Sequence, residues 1–471
     1  MTISSSSFFL VHIIVPLIGL LFFLSSSSLA QTNDSTIYLS SSTKQANSLL
    51  IQRALSSTLG FDRLAHISDY YGHRLSGSIE LEQAIDWIVG EMTVDGFDRV
   101  WKQKVMVPHW ERGYEYATLN APIQKDLPML GLGGSIGTGG KPIIGEVIMV
   151  HSFEDLESKK DSVPGKIVLF NVPFSTYGQT VQYRVNGAIE AAKHGAIASI
   201  ITSVASYSMQ TPHTGVMYYE DGIPKIPHAA ITVEDALLIE RFLHRGESIE
   251  ISLYMEAEQF EDAISHNVIA EIKGSDFPDE LIVLGGHIDS WDVGQGAMDD
   301  GGGCVAAWEA ARLIIESGAR PKRTVRVVLW TNEENGLRGA NHYAEWAEKE
   351  EQSIQNHLLA MESDAGVFDP IGFGFSGNEQ AYDQLSEISQ QLVEIDAAEL
   401  RKGGGGADIG PLMNKGVPGM GLNVDAEKYF WYHHSAADTF DKLNHEDFNE
   451  CVATMAAYAF GVADAEVRLS R

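Results

Sequence analysis

Basic side chains are scarce in this chain, which has 33 lysines and arginines against 64 aspartates and glutamates and a formal net charge of −31. An excess of negative charge repels phosphate backbones and anionic lipid headgroups over long distances. The composition therefore argues against nucleic acid as a partner. The solubility of a secreted protein explains the acidity better than the steering of cationic substrates does.

Cysteine is nearly absent, since only Cys304 and Cys451 occur among 471 residues. Two cysteines cannot form a disulfide framework, and neither lies in a pattern typical of a thiolate metal site. Both fall in segments with helical periodicity. One disulfide between them and two buried free thiols are both compatible with the sequence.

Long apolar runs are missing beyond residues 8–24, which are almost wholly hydrophobic. Ser28 and Ala30 flank Leu29 with the small residues that signal peptidase accepts, so residues 1–30 are predicted to be a signal peptide. A short membrane anchor is the alternative, because no basic residue precedes the run. The sequon at Asn33 also favours a secretory route, and no stable membrane span is expected after cleavage.

The remaining chain is long enough to bury a large core and divides by pattern into three parts. Residues 31–58 are rich in Ser, Thr and Gln and predict a mobile leader or pro-segment. Residues 114–256 alternate short strands with helical patterns and predict an inserted domain. Residues 59–113 and 257–471 would then form the main α/β domain. His213, His228 and the pair Tyr218-Tyr219 could line a cleft facing it, although structural roles are the simpler interpretation.

The main domain carries a metal-site pattern in residues 281–303, LIVLGGHIDSWDVGQGAMDDGGG. Four apolar residues predict a buried strand that delivers His287 and Asp289 to the carboxyl edge of a sheet. Strand side chains repeat every two residues, so the carboxylate of Asp289 is expected to brace the imidazole while the other ring nitrogen faces a metal. A glycine-rich loop then brings Asp299 and Asp300 to the same edge.

Acidic residues follow two further predicted strands. Glu333 and Glu334 come after the strand at residues 324–330, and Asp364 comes after the one at residues 358–362. Neighbouring side chains diverge, so one glutamate can bind a metal while the other handles protons. A carboxylate at the end of a buried strand is stronger evidence for a functional role than a carboxylate on a surface helix.

The last candidate ligand lies in the aromatic segment YFWYHHSAADT, which contains His433 and His434. One histidine per metal with shared carboxylates suits zinc or a similar divalent ion, and two ions need a bridging carboxylate. Asp299 is the predicted bridge. The predicted ligand sets are therefore His287 with Asp364 for one ion and Glu334 with His434 for the other, with Glu333 moving the proton of the attacking water.

The segments GGHIDSWDVGQGAMDDGGG, LWTNEENGLRGA, MESDAG and YFWYHHSAADT resemble those of the co-catalytic di-zinc exopeptidases. VPHW, VQYR and TPHTG extend the resemblance through most of the chain. It implies a phosphorylase/hydrolase-like mixed eight-stranded sheet between helices, interrupted by a protease-associated domain. It also implies two zinc ions, a pro-segment, a homodimer, a secreted or lysosomal location, and hydrolysis of dipeptides with unblocked termini.

Carried over by position, the family pattern assigns the metal ligands and the general base to residues of this chain. The ligands are His287, Asp299, Glu334, Asp364 and His434, the base is Glu333, and Asp289 supports the first histidine. His433 competes with His434, and the motif selects the histidine directly before the serine. A non-catalytic scaffold and a single-metal cyclase or transferase on the same fold are the rival hypotheses. Small peptides are the expected substrates.

Overall fold

The computed structural model describes residues 38–471. The signal peptide predicted for residues 1–30 and the sequon at Asn33 lie outside the described residues. Over the described part, no helix combines the length and apolarity needed to cross a bilayer. Cys304 and Cys451 are buried free thiols, so no disulfide joins them.

Three helices come first in the described part of the chain, and strands and helices are interspersed after them. The helices are α1 (Ser41–Ser56), α2 (Leu59–Tyr70), α3 (Ile79–Val94), α4 (Phe153–Ser158), α5 (Tyr177–Lys193), α6 (Val233–His244), α7 (Gly302–Ser317), α8 (Arg338–Lys349), α9 (Glu379–Ser389), α10 (Gly410–Met413), α11 (Tyr429–Tyr432) and α12 (His445–Ala463). The strands are β1 (Arg99–Glu111), β2 (Glu115–Ala121), β3 (Lys125–Leu127), β4 (Met129–Gly131), β5 (Ile143–Val150), β6 (Ile167–Phe170), β7 (Ala198–Thr202), β8 (His228–Ile231), β9 (Glu250–Met255), β10 (Glu258–Ile272), β11 (Phe277–His287), β12 (Arg323–Trp330), β13 (His357–Glu362), β14 (Pro370–Ser376), β15 (Glu399–Lys402) and β16 (Gly419–Val424).

The first sheet has eight strands in the order β1-β10-β12-β11-β13-β16-β14-β15 and is mixed. Strands β12, β11, β13 and β16 run parallel to one another, whereas β10 is antiparallel to both of its neighbours, β1 and β12. On β12, Val327 packs in the core formed with α7 and α12, and Val328 packs in the core formed with α8. Alternate residues thus face two covered surfaces, which explains why the central strands are apolar throughout. The predicted mixed sheet between helices is confirmed.

The second sheet also has eight strands, in the order β3-β2-β9-β5-β6-β7-β8-β4, and all of them lie within residues 115–255. Its interior is formed by two further groups of buried apolar side chains, and α5 and α6 cover its parallel strands. The description of residues 114–256 as an inserted protease-associated domain stays a prediction.

Helix α1 corrects the expectation of a mobile leader. Leu50 and Ala54 are buried, and Nδ2 of Asn47 donates to the carbonyl of Ala457 on α12 over 2.9 Å. The hydroxyl of Ser40 accepts from the amide of Thr43 and caps the helix. Residues 41–56 therefore belong to the folded core, and removal of a pro-segment stays a prediction.

The parallel strands determine where the candidate site lies, because their carboxyl ends lie side by side. His287 is the last residue of β11 and pairs with Trp330, the last residue of β12. Gly285 of β11 pairs with Glu362, the last residue of β13. Residues that follow these three strands must therefore gather at one edge of the first sheet.

Candidate metal centre

The first group of candidate ligands joins the end of β11, the loop after it and the end of β13. Nε2 of His287 lies 3.2 Å from Oδ1 of Asp299 and 3.3 Å from Oδ1 of Asp364. His287 and Asp299 are buried, and about a quarter of the Asp364 side chain is exposed. The three side chains offer atoms spaced closely enough to hold one ion.

The second group shares Asp299 with the first. Nε2 of His434 lies 3.4 Å from Oδ2 of Asp299 and 2.9 Å from Oε2 of Glu334. His433 stacks on His434 with ring centroids 3.5 Å apart, and its Nε2 is 3.6 Å from the same carboxylate oxygen. The structure thus brings all five predicted ligands together and places the competitor His433 beside them.

The chemistry of these atoms fits bound divalent cations. Oδ2 of Asp299 and Oε1 of Glu334 are buried and have no hydrogen-bond partner among the described residues. Unpaired carboxylate oxygens in a protein interior are costly unless a cation or proton neutralises them. A mixture of imidazole and carboxylate ligands suits zinc.

The titration of the two histidines reflects their different surroundings. Burial and the charge of Arg184 hold the pKa of His434 well below its usual value, which keeps its ring neutral as a metal ligand must be. Burial alone would lower the pKa of His287, but its hydrogen bonds to Asp299 and Asp364 raise it well above the usual value. A cation between these groups would take the place of that proton.

Asp289 supports the site in a different way from the one predicted. Nδ1 of His287 donates to the backbone carbonyl of Asp289 over 2.9 Å, whereas the nearest carboxylate oxygen is 4.0 Å away. The carboxylate instead accepts from the amides of Glu333 over 3.0 Å and Glu334 over 3.3 Å. It turns away from the ring because two unpaired amides lie within reach. Asp289 thus holds the ligand histidine with its backbone and the two glutamates with its side chain.

Two other carboxylates hold the loop that carries Asp299. Asp438 accepts from the amides of Ala297, Met298 and Asp299 over 2.7 to 3.2 Å. Burial raises the pKa of Asp438 to about 7, and the charge of Asp299 adds to the rise. Asp300 accepts from the amide of His287 over 3.1 Å, so it fastens the loop to the end of β11. The motif containing Asp438 was visible in the sequence, but not this role.

Glu333 lies beside the metal groups without belonging to either. It lines a cavity of about 500 Å³ together with Asp299, Glu334, Asp364 and the two neighbouring histidines. Burial raises the pKa of Glu333 to about 8, and the nearby aspartates contribute to the rise. A raised pKa suits a group that accepts a proton and returns it near neutral pH.

Three residues of the second-sheet segment also reach the site. The amide of Thr214 donates to the carbonyl of His434 over 2.9 Å, and Nδ1 of His213 donates to the carbonyl of His433 over 2.6 Å. Arg184 contacts the ring of His434. The sequence contains the strings TPHTG and VQYR, yet nothing in their spacing predicts that they meet a loop more than 200 residues away.

Comparison with known proteins shows the family. Residues 267–459 match the family model described as Peptidase family M28. Over 411 residues, the chain is 48% identical to carboxypeptidase Q of Xenopus laevis, covering 87% of each protein. Carboxypeptidase Q of Homo sapiens is 46% identical over 411 residues, which cover 87% of this chain and 86% of that protein.

Solved structures extend the comparison. The crystal structure of a Peptidase M28 precursor from Shewanella amazonensis SB2B superposes with a TM-score of 0.87 at 35% sequence identity, covering 91% of this chain and 98% of that one. BSAP, a zinc aminopeptidase from Bacillus subtilis, is 19% identical, has a TM-score of 0.63 and covers 87% of this chain and 98% of that one. The second likeness concerns the fold.

Proposed function

The chain belongs to the carboxypeptidase Q group of peptidase family M28, and from this premise we propose that it is a zinc exopeptidase that hydrolyses dipeptides with both termini free. The family assignment confirms the resemblance found in the sequence and makes the chain a peptidase of the hydrolase class. The substrate, the number of zinc ions and the residue roles below are the parts that we propose.

The observation that carries the proposal is the sharing of Asp299 between the two ligand groups. One of its carboxylate oxygens faces His287 and the other faces His434. A carboxylate that bridges two ions holds them about 3.5–4 Å apart in two-metal hydrolases. We therefore assign two zinc ions per chain, one held by His287, Asp299 and Asp364, and the other by Asp299, Glu334 and His434.

Zinc, when bound, supplies a Lewis acid for the peptide carbonyl oxygen and lowers the pKa of a bound water. Glu333 accepts the proton of the attacking water and later donates it to the leaving amine. The backbone amide of Glu333 donates to the carboxylate of Asp289, which fixes this backbone and keeps the carboxylate of Glu333 beside the metal groups. Burial of the surrounding ligands keeps bulk water away from the developing charge.

Substrate size follows from the cavity. Its walls combine the ligand residues with apolar surfaces from Leu337, Tyr429 and Phe430, and its volume of about 500 Å³ suits a small peptide. The second-sheet segment closes one side through Tyr177, Arg184 and Tyr218. A cavity closed in this way favours a short substrate over the middle of a long chain.

The cellular setting and assembly also form part of the proposal. The apolar segment before residue 31 supports entry into the secretory route, and the resemblance to carboxypeptidase Q supports a secreted or lysosomal enzyme that acts as a homodimer. The acidic net charge is consistent with a small-peptide substrate and with the absence of nucleic-acid partners.

Metal counting tests the proposal. The purified enzyme should contain about two zinc ions per chain by atomic emission, lose dipeptide hydrolysis when a chelator removes them, and regain it when zinc is returned. A stoichiometry near one would favour the single-metal cyclase or transferase. A stoichiometry near zero, with no hydrolysis, would favour a non-catalytic scaffold.

A further inference from the structure

The cavity that contains the metal groups adjoins a second cleft of about 510 Å³. The two spaces share three wall residues, which are Val216 and Tyr218 of the second-sheet segment and Gly336 of the loop between β12 and α8. Leu337 lines only the cavity, whereas Arg338 lines only the cleft. The three shared residues therefore mark the place where one space passes into the other.

The stretch that carries Val216 and Tyr218 is extended and is held from behind. Val216 forms an isolated parallel β-bridge with Gly133, and the amide of Met217 donates to the carbonyl of Gly133 over 3.0 Å. Met217 and Tyr219 pack in the interior of the second-sheet segment, and the hydroxyl of Tyr219 donates to a backbone carbonyl over 2.8 Å. Alternate side chains of an extended chain point to opposite faces, so Val216 and Tyr218 are turned towards the two spaces.

Tyr218 supplies the only large side chain among the three shared residues. Its side chain is 52% exposed, while its amide is fixed by donation to the carbonyl of Val185 over 3.3 Å. The wall at Gly336 is backbone, and a Cβ there would lie 2.6 Å from Oδ1 of Asn332. The ring of Tyr218 therefore forms the part of the partition that a substitution can remove without changing the backbone on either side.

The cleft behind this partition has room for a further part of a peptide. Its volume of about 510 Å³ matches the cavity's volume of about 500 Å³. Its walls combine the apolar and aromatic surfaces of Trp110, Ile136 and Tyr219 with the polar ends of Gln259 and Lys225. Mostly apolar walls with a few polar groups are typical of sites that bind small organic ligands. Without the ring of Tyr218, a peptide in the cavity would have room to continue into the cleft.

We infer that the ring of Tyr218 closes the cavity towards the cleft and thereby limits the substrate to two residues. The inference rests on the proposed function, to which it adds the side chain that sets substrate length. Tyr218 acts by occupying space, so the size of its ring matters and its hydroxyl does not.

Leu337 is the rival for this role. It is partly buried and lines the cavity but not the cleft. Removal of its side chain would enlarge the cavity without joining it to the cleft. The position of Tyr218 in both walls therefore favours the tyrosine.

Two peptides of the same composition test the inference in the zinc-loaded enzyme. The initial rates of loss of alanyl-alanine and of trialanine are followed by chromatography to give kcat/KM for wild type, Tyr218→Ala, Tyr218→Phe and Leu337→Ala. Tyr218→Val is a second way to remove the ring if the alanine variant folds poorly. Tyr114→Ala is the matched control, because Tyr114 lies in the same segment, is 64% exposed and lines neither space. Zinc content and melting temperature are recorded for each variant.

Wild type should cleave alanyl-alanine about 100-fold faster than trialanine in kcat/KM, within the range that a pocket wall provides by excluding extra atoms. Tyr218→Ala and Tyr218→Val should narrow this ratio about tenfold by raising the cleavage of trialanine. Tyr218→Phe keeps the ring and should retain the wild-type ratio. Leu337→Ala and Tyr114→Ala should retain it as well.

The inference is overturned if wild type cleaves both peptides equally well, or if the folded, zinc-containing Tyr218 variants without the ring keep the wild-type ratio. A narrowed ratio in Tyr218→Phe would assign the effect to the hydroxyl, and one in Leu337→Ala would assign it to the rival. Either result would also overturn the inference. In each of these cases wild type still contains zinc and cleaves alanyl-alanine, so the proposed hydrolysis of dipeptides would stand. Failure of the proposed function would appear as a wild-type enzyme without zinc or without cleavage of dipeptides.

Discussion

The two sheets of this molecule share a construction and differ in what their strand ends carry. In the first sheet, the parallel strands β11, β12 and β13 lead to His287, Glu333, Glu334 and Asp364. In the second, the parallel strands β5, β6, β7 and β8 lead to residues without a carboxylate, which are His151, Asn171, Ser203 and Thr232. The architecture provides an edge in both cases, and the residues placed there decide whether it can hold metal.

The polar groups at the second edge are satisfied within the fold. The hydroxyl of Thr202 donates to Oδ1 of Asn171 over 2.8 Å, and that of Ser203 donates to the carbonyl of Ile231 over 2.8 Å. The first edge instead leaves buried carboxylate oxygens of Asp299 and Glu334 unpaired. Unsatisfied groups in a native interior call for an explanation, and bound ions supply one.

The largest expected effect is a loss of catalytic activity when a residue at the edge of the first sheet is replaced. Glu333→Gln removes the group that moves the proton, so kcat should fall about 10²- to 10⁴-fold while zinc content stays at the wild-type level. Steady-state kinetics and atomic emission measure the two quantities. Activity retained within a few-fold of wild type would exclude Glu333 as the general base.

The next effect, a loss of stability at acidic pH, should occur in both sheets. The difference between the sheets would then lie only in the chemistry of their strand ends. Burial lowers the pKa of His228 in the second sheet and of His357 in the first to about 4. The unfolded chain binds these protons near pH 6.5, so stability is full above that pH and falls as the pH drops towards 4. Each histidine should cost about 3 kcal/mol at the limit.

Urea unfolding between pH 7 and pH 4.5 measures this loss. Replacing His228 or His357 by glutamine should each flatten the pH dependence, because glutamine does not titrate. A variant whose stability falls with pH as steeply as that of wild type would show that the replaced histidine is not responsible.

A smaller effect is expected where the second-sheet segment contacts the loop that carries His433 and His434. His213→Ala removes the donor to the carbonyl of His433, and leaving such a group unpaired costs about 1–3 kcal/mol. His434 has φ +60°, so its position depends on these contacts with the second-sheet segment. We expect weaker zinc retention in chelator competition and about a tenfold lower kcat/KM.

His228→Ala is the matched control for this variant. His228 is also buried in the second-sheet segment, and it lines neither metal group nor the cavity. It should lose stability without losing zinc. Equal zinc retention in the His213 and His228 variants would contradict a link between the second-sheet segment and the metal loop.

The smallest effect is expected at the second edge itself. The hydroxyl of Thr232 accepts from the amide of Asp235 and caps α6. Thr232→Ala should therefore lower stability by about 1 kcal/mol and leave kcat and zinc content unchanged. A large loss of activity would mean that the second edge takes part in the chemistry.

The sequence predicted the first edge well because ligands there follow apolar strands directly. His287, Glu334 and Asp364 each stand within a few residues of a strand end, and parallel strands align their ends without further information. Asp289 shows the limit of such reasoning. Strand alternation predicted that its carboxylate would support His287, but the carboxylate accepts from two backbone amides, whose position depends on where the turn at Glu333 folds.

Contacts between segments that are distant in the chain produce no periodic pattern in the sequence from which they could be predicted. Arg184 and His213 reach His433 and His434 only because the second-sheet segment folds against the loop that follows the first sheet. The polar sequence of helix α1 predicts a mobile segment, yet burial against α12 orders it. Tertiary packing decided these features, and local propensity did not.

The central claim is that Asp299 bridges two ions, and anomalous scattering from crystals of the purified enzyme at the zinc edge tests it most directly. Two peaks should appear about 3.5–4 Å apart on either side of Asp299, one touching His287 and Asp364 and the other touching Glu334 and His434. A single peak, or peaks located at other residues of the chain, would contradict the claim that Asp299 bridges two ions.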